Sequence, residues 1–361
     1  MAEELKHWFD TAFFEDLAVA IAHHLPDFDR HGFTRMTTHG LDQLELKQRM
    51  TRTVEACRSH LPDDYRQAVG ILKALAPRYE GKFQGMFCSE YVGRYGLDDF
   101  DFSLDALAYF TTFSSAEFGI REYLRNDFER TLEVMKTWAA SDNHHHRRLA
   151  SEGSRPRLPW SFRIPQLISD PSPTHPILER LNTDDSETVR RSVANHLNDI
   201  SKDHPETMLD WVNAWDRTDE RTGWIVKHSA RGLLKKGHPR AFGLFGFEAE
   251  PAIETASLNV DRPAVAIGDD ITFSFTLGSL KNRPQKLAVD YSVHYVKKSG
   301  KTSPKVFKLK EIELGLGASE TLGRRISLRN LSTREHHPGT HHIEMIVNGR
   351  SVGVVSFDVT D

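Results

Sequence analysis

Cysteine is nearly missing from this chain of 361 residues, which has only Cys57 and Cys88. Neither a CxxC pair nor a Cys/His zinc spacing can be made from two such residues, so a disulfide framework is excluded and a reducing cytoplasm is expected. No run approaches about 18 consecutive apolar residues, so no membrane span is expected. The N-terminal MAEELKHWFD is acidic and amphipathic, unlike a secretory signal. Walker, nucleophile-elbow and GxGxxG motifs are all absent, and no cofactor is expected. His144-His145-His146 does not make a metal site, because consecutive helical residues point about 100° apart. His341-His342 fails on a strand, where neighbours face opposite sides. No metal is expected.

Acid is scarce in one place. Residues 143–169 hold five arginines (Arg147, Arg148, Arg155, Arg157 and Arg163) against a single carboxylate, Glu152. The net charge of −4 argues at first against a nucleic-acid partner, but its distribution does not. Residues 1–135 stand at −8, residues 136–250 at +1 and residues 251–361 at +3. A second stretch, 227–240, has Lys227, Arg231, Lys235, Lys236 and Arg240 with no acid. Two concentrated basic patches suit phosphate contact better than the overall sum suggests. Apolar and charged fractions of 39 % and 27 % describe a folded globular protein rather than a disordered one.

Up to about residue 250 apolar residues recur at helical spacing, as in Leu46, Met50, Val54, Cys57 and in Tyr65, Val69, Leu72, Leu75. A weak internal repeat runs through this part. Segments starting at Asp142, Asp185 and Arg221 align through Arg148, Arg191 and His228, at spacings of 43 and 37 residues. Helix-pair units of roughly 40 residues stack into HEAT-type solenoids. Beyond residue 250 the pattern becomes period-two alternation. Runs at 255–260, 271–276, 288–296, 305–312, 323–328, 341–347 and 351–359 make about seven short strands, the pattern of an immunoglobulin-like sandwich. The expected fold is an α-helical HEAT-like repeat solenoid over residues 1–248, then a small all-β immunoglobulin-like sandwich over 251–361. The junction falls at Glu248–Pro251.

Glu152 is the first candidate for chemistry. It sits in the last turn of a helix stopped by Gly153, where the negative end of the helix dipole makes a carboxylate unfavourable by a few tenths to about 1 kcal/mol. Glu117 is the second. Ser114-Ser115 reads as a helix N-cap, which places Glu117 in the first turn with Arg121 as its i+4 partner. The two acids are 35 residues apart, close to one repeat. Two carboxylates facing one centre can stabilise an oxocarbenium ion and orient a water. Trp160 stands on a segment stiffened by Pro156, Pro159 and Pro165, placed to press on a sugar or base; Trp8, Trp138 and Trp211 read as core. Arg148 and Arg155 are the expected phosphate clamps. Arg157, Arg190, Arg191, Lys227, His228 and Arg231 extend the DNA-binding track, about half of them being no more than solvated helix face.

Four segments together resemble one family: SSAEFGIR (114–121), RRLASEGSRPRLPW (147–160), VRRSVANHLNDISKDHP (189–205) and KHSARGLLKKGHPRAF (227–242). They are similar to the AlkC-type DNA alkylation-repair glycosylases, relatives of AlkD built from HEAT-like repeats, over roughly residues 1–247. Residues 251–361 resemble the C-terminal immunoglobulin-like domain that some members carry. The resemblance implies excision of cationic N3-alkylated bases, 3-methyladenine and 3-methylcytosine, from duplex DNA without base flipping. It assigns Glu117 and Glu152 as catalytic acids, Trp160 as the indole against the lesion's deoxyribose, and Arg148 and Arg155 as backbone contacts. A monomer in the bacterial cytoplasm is expected. One departure is Gly119 where alanine is usual after Glu-Phe, and its helix cost is expected to loosen Glu117 slightly.

An N3-methylated base leaves as a neutral molecule and needs no general acid. The sandwich, at +3, is expected to grip DNA as well. The rival reading is a non-catalytic HEAT scaffold binding DNA or protein. Carbohydrate hydrolysis also uses paired acids and a stacking Trp, but neutral sugars need no crowd of arginines.

Overall fold

The computed structural model describes residues 5–331 and 334–361, without the side chain of Ala256. Four of the acids of residues 1–135 start helices. Asp10, Asp29, Asp64 and Asp127 each accept a hydrogen bond from a backbone N–H three residues on, at Phe13, Gly32, Gln67 and Arg130. Each such cap stabilises its helix by about 1 kcal/mol. Sixteen α-helices are found among the described residues, and five position the site. These are α1 (Met86–Tyr95), α2 (Gly119–Asn126), α3 (His144–Gly153), α4 (Glu187–Ile200) and α5 (Glu220–Ser229).

The internal repeat is real, and arginines carry it. Helices α3, α4 and α5 are its three copies; α3 packs on α4 and α4 on α5. Arg147 donates to the carbonyls of Ser141 and Asp142 just before α3. Arg190, 43 residues later, donates to those of Asp184 and Asp185 just before α4. Between copies, Arg147 clasps the carboxylate of Asp184 at 2.6 and 3.1 Å, and Arg221 pairs with Asp185. The chain therefore has the HEAT-like helical repeat that the sequence pattern predicts.

Gly119 tightens the site rather than loosening it. A Cβ there would lie 2.3 Å from the Ser89 carbonyl oxygen, so α1 and α2 approach closely only because residue 119 is glycine. The modest helix cost of glycine is set against that contact.

Eight strands follow among the described residues: β1 (Ile253–Val260), β2 (Ala264–Ala266), β3 (Asp270–Ser279), β4 (Gln285–Val296), β5 (Thr302–Leu314), β6 (Ser319–Ser327), β7 (Gly339–Val347) and β8 (Arg350–Thr360). They form a three-stranded sheet, β1-β3-β6, and a five-stranded one, β2-β8-β7-β4-β5. Inward residues alternate along them: Ile271, Phe273, Phe275 and Leu277 on β3 share a core with Leu287, Val289, Tyr291 and Val293 on β4. The strand missed in the sequence is β2. At three residues, paired parallel to β8, it is too short to show alternation.

By internal packing the chain divides into two units. One runs to His204 and adds Ala214–Ser229; the other joins Pro205–Asn213 to Ala230–Asp361. No helix of the described residues is long and apolar enough to cross a membrane.

Candidate active site

Two buried hydrophobic anchors hold the site. Phe118 and Leu158, 4 % and 3 % exposed, sit in one core cluster with Phe9, Phe14, Met50 and Met86. Their chain neighbourhoods carry Glu117 and Trp160 outward from that common base. Glu117 lies in the turn before α2 and not in its first helical turn. Neither Ser114 nor Ser115 caps the helix, whose N-cap is Phe118; Ser115 Oγ instead accepts from the Glu117 N–H at 3.3 Å and donates to Glu117 Oε2 at 2.8 Å within that turn.

Glu117 does not pair with Arg121. Its partner is Arg148, on α3, which donates to Glu117 Oε2 at 2.9 Å and to Ser115 Oγ at 3.0 Å. Burial lowers the pKa of Arg148, but the charges of Glu117 and Glu152 outweigh it and the net shift is upward. Arg148 thus lies between the two acids in electrostatic terms, bonded to one and felt by the other.

Glu152 is 6 % exposed in the last turn of α3. Arg155 donates to its Oε1 at 2.6 Å and to Asp199 Oδ2 on α4 at 2.9 Å. Arg155 is itself 7 % exposed, which corrects its reading as a phosphate clamp: its guanidinium is an internal bridge between two carboxylates. Lys202 closes the series, donating to Asp199 Oδ1 at 2.8 Å. The scarcity of acid along the sequence around Glu152 is therefore made up in space by Asp199.

Each catalytic candidate commits one carboxylate oxygen to its arginine. Among the described residues nothing donates to Glu117 Oε1 or Glu152 Oε2. Beside Glu117 a cleft of about 580 Å³ is lined by Phe83, Phe113, His144, His145, Arg148 and Trp160. Trp160 is 45 % exposed and meets Phe83 edge to face at 5.9 Å. Its φ of 61° is left-handed, a strain of order 1–2 kcal/mol for a side chain of this size.

The outer basic residues divide. Arg157 is clasped by Asp203 at 2.9 and 2.7 Å. Arg190 is half-buried and gives Nη1 to the carbonyls of the repeat turn. Arg191 is exposed and pairs with Glu187 at 2.6 Å. Lys227 is exposed on α5, and His228 stacks on Trp224 at 4.9 Å. Arg231 is half-buried in the other unit. Trp138 is core as expected, but Trp8 is 47 % exposed. Among the described residues no three His, Cys, Asp or Glu side chains are grouped to hold a metal.

A model of the DNA alkylation repair enzyme family matches residues 22–232 of this chain. The chain belongs to that family. Residues 254–361 match the C-terminal Ig-like domain of the uncharacterised protein YhaZ. YhaZ of Bacillus subtilis (strain 168) is 39 % identical over 350 residues, 96 % of this chain and 97 % of that protein. The Pseudomonas fluorescens alkylpurine DNA glycosylase AlkC, solved bound to DNA containing an abasic site analog, is 45 % identical. It matches with a TM-score of 0.94 over 99 % of each chain.

In this alkylation-repair chain the residue that sequence reasoning missed is Asp199. The signal was present as a polar stripe, Ser192, His196 and Asp199, at i, i+4 and i+7 on an otherwise apolar helix face. All three are buried and turn toward α3 and its exit loop. Ser192 Oγ donates to Ser151 Oγ at 3.0 Å, His196 Nδ1 bonds the Ser151 carbonyl at 2.9 Å, and Asp199 receives Arg155.

Proposed function

We propose that this protein is a DNA glycosylase of base excision repair. It hydrolyses the N-glycosidic bond of cationic N3-alkylated bases, 3-methyladenine and 3-methylcytosine, in duplex DNA without flipping the base. The observation that carries this reading is the pair of carboxylates, each fixed by one arginine through one oxygen and left with a second oxygen uncommitted. Such oxygens are suited to a developing cation. As the base leaves, positive charge grows at C1′ of the deoxyribose, and a fixed carboxylate away from bulk water stabilises it more strongly than one in solvent.

Glu117 and Glu152 share the tasks of stabilising the oxocarbenium ion and orienting the water that attacks it. The leaving base takes the bonding pair and its positive charge is neutralised, so no proton need be donated. Trp160 presses its indole on the deoxyribose, adding cation–π attraction. A snug pocket selects flipped bases; here selection rests on the lability of the charged lesion. Arg148, which also holds Glu117, contacts the DNA backbone together with Arg191, Lys227, His228 and Arg231. The protein acts as a monomer in the cytoplasm, without cofactor.

The test is release of 3-methyladenine and 3-methylcytosine from methylated duplex DNA by wild type and Glu152→Gln. We expect release by wild type to fall by about 100-fold or more in the variant. DNA binding with no release by either protein would make this a non-catalytic repeat scaffold.

A further inference from the structure

Arg121 is among the largest side chains with no exposure at all, and it touches neither catalytic acid. From α2 its Nη1 donates to the carbonyls of Gly153 and Arg155 at 2.9 and 2.7 Å, and its Nη2 donates to the carbonyl of Phe162. Those carbonyls bracket one loop. Gly153 ends the helix that carries Glu152, Arg155 bridges Glu152 to Asp199, and Phe162 lies two residues past Trp160. One planar fork thus pins both ends of a loop whose tip is the exposed, left-handed Trp160. We propose that Arg121 is the positioning residue of this site, holding the Glu152 helix end and the Trp160 loop in register with each other.

Three further features support the role. Ring contacts back the clamp: the guanidinium centres of Arg121 and Arg125 lie 5.2 and 3.6 Å from the Phe162 ring. The close approach is built in, because a Cβ on residue 153 would lie 2.5 Å from Ile120 Cγ2; only glycine brings its carbonyl within reach of residue 121. Electrostatics also agrees. A carboxylate at the negative end of α3 needs a compensating cation, and Arg121 supplies one at that terminal carbonyl. Burial, together with the nearby charge of Arg155, lowers its pKa to about 10, so it stays cationic at neutral pH.

The loop needs such a clamp. Its own hydrogen bonds are sparse: Ile164 N–H to the Pro156 carbonyl at 3.1 Å and Ser161 N–H to the Leu158 carbonyl at 3.4 Å. A strained backbone at the tip persists only where its surroundings over-determine it. Lysine cannot replace the fork, since one ammonium is a point donor with no planar geometry. Fully buried, Arg121 cannot touch DNA. Its loss should therefore appear in the chemical step and not in phosphate binding.

The role rests on the glycosylase reading given above, and the experiment separates the two. Full-length protein labelled with 5-fluorotryptophan is examined by 19F NMR, the Trp160 resonance being assigned by its loss in Trp160→Phe. In Arg121→Met the Trp160 signal should move to the free-indole position, and kcat on methylated duplex should fall by about 100-fold, the effect of roughly 1 Å of misplacement. KM should stay within about twofold, as for an interaction felt only in the transition state. Arg121→Lys should give an intermediate result.

Should Arg121→Met fail to fold, Arg121→Lys and Phe162→Leu decide by the same two readouts. Leu72→Ala, in the buried core but outside the five helices that carry the site, is the stability control and should move neither the signal nor kcat. An unchanged Trp160 signal with unchanged kcat, or an equal loss of kcat in Leu72→Ala, overturns the proposal. Should wild type release no base, the glycosylase reading falls, while the 19F signal still decides whether Arg121 sets the Trp160 loop.

Discussion

Arg155–Glu152 and Arg191–Glu187 are both ion pairs of 2.6 Å within the helical repeats. In the first the side chains are 9 % and 8 % exposed, in the second 62 % and 64 %. The equal lengths conceal opposite energetics. At the surface, water screens both charges before and after pairing, and such a pair is worth about 0–1 kcal/mol. Inside, each charge has lost its hydration, and the pair is held only because each partner compensates the other. Bond length says little here; the loss of water decides. The inner arginine fixes a buried carboxylate, while the outer one remains at the surface.

The comparison breaks most visibly at Arg155. Arg155→Ala leaves Glu152 buried without its cation and Asp199 with Lys202 alone, so stability should fall by about 3–5 kcal/mol. For a unit of this size that is roughly a 10 °C drop in melting temperature. Glu152→Gln added to Arg155→Ala should recover part of the loss, because one buried charge is gone. A double variant as unstable as Arg155→Ala alone would show that the bridge is not what stabilises this corner.

Arg148→Ala should cost less, about 1–3 kcal/mol, because its side chain and that of Glu117 are 28 % and 16 % exposed and water can partly replace the guanidinium. Base release should fall with it, since Glu117 loses its fixed orientation. Thermal melts and single-turnover release, measured on one preparation, check both halves of the expectation. Retained activity would separate Glu117 from the chemistry.

A third effect is set by pH. Burial, then the charge of Arg155, lowers the pKa of His196 from its usual 6.5 to about 3. The folded protein keeps this imidazole neutral while the unfolded chain protonates it. Between pH 6.5 and 3 the unfolded state therefore binds the extra proton, and stability falls as acid is added. The slope from this group is up to about 1.4 kcal/mol per pH unit; above pH 6.5 its contribution is constant. Melting temperature against pH for His196→Gln should be flatter than wild type between about pH 4 and 6.5. Parallel curves would rule His196 out as the cause.

What the sequence showed of all this follows from the range of its signals. Period 3.6 and period 2 report which face is buried, so the helical repeats and seven of the eight strands were legible; three-residue β2 was not. Glu152 and Trp160 stood out because each is odd for its place, an acid at a helix C-terminus and an indole among prolines; Glu117 drew attention only through its 35-residue separation from Glu152. Partners were not legible. Arg121 at i+4 from Glu117 has the right spacing for a surface pair, yet three backbone carbonyls claim it, because a buried carbonyl without a donor costs more than a surface ion pair returns. Asp199 lies 44 residues from Arg155, and nothing local in the sequence reports a contact at that range.

The smallest effect should be at Arg191, and it sharpens the comparison from the other side. Arg191→Ala removes a pair of largely exposed side chains, so stability should change by less than about 0.5 kcal/mol. If the exposed arginines are the ones left to meet phosphates, the loss appears elsewhere. The slope of log affinity for duplex DNA against log salt should become shallower by about one unit, while kcat on a methylated duplex stays as in wild type. Arg155→Ala should behave in the opposite way, with stability and kcat falling and the salt slope little changed. An Arg191 variant with a wild-type salt slope would take that residue off the DNA track and leave its bond to Glu187 as an ordinary surface pair.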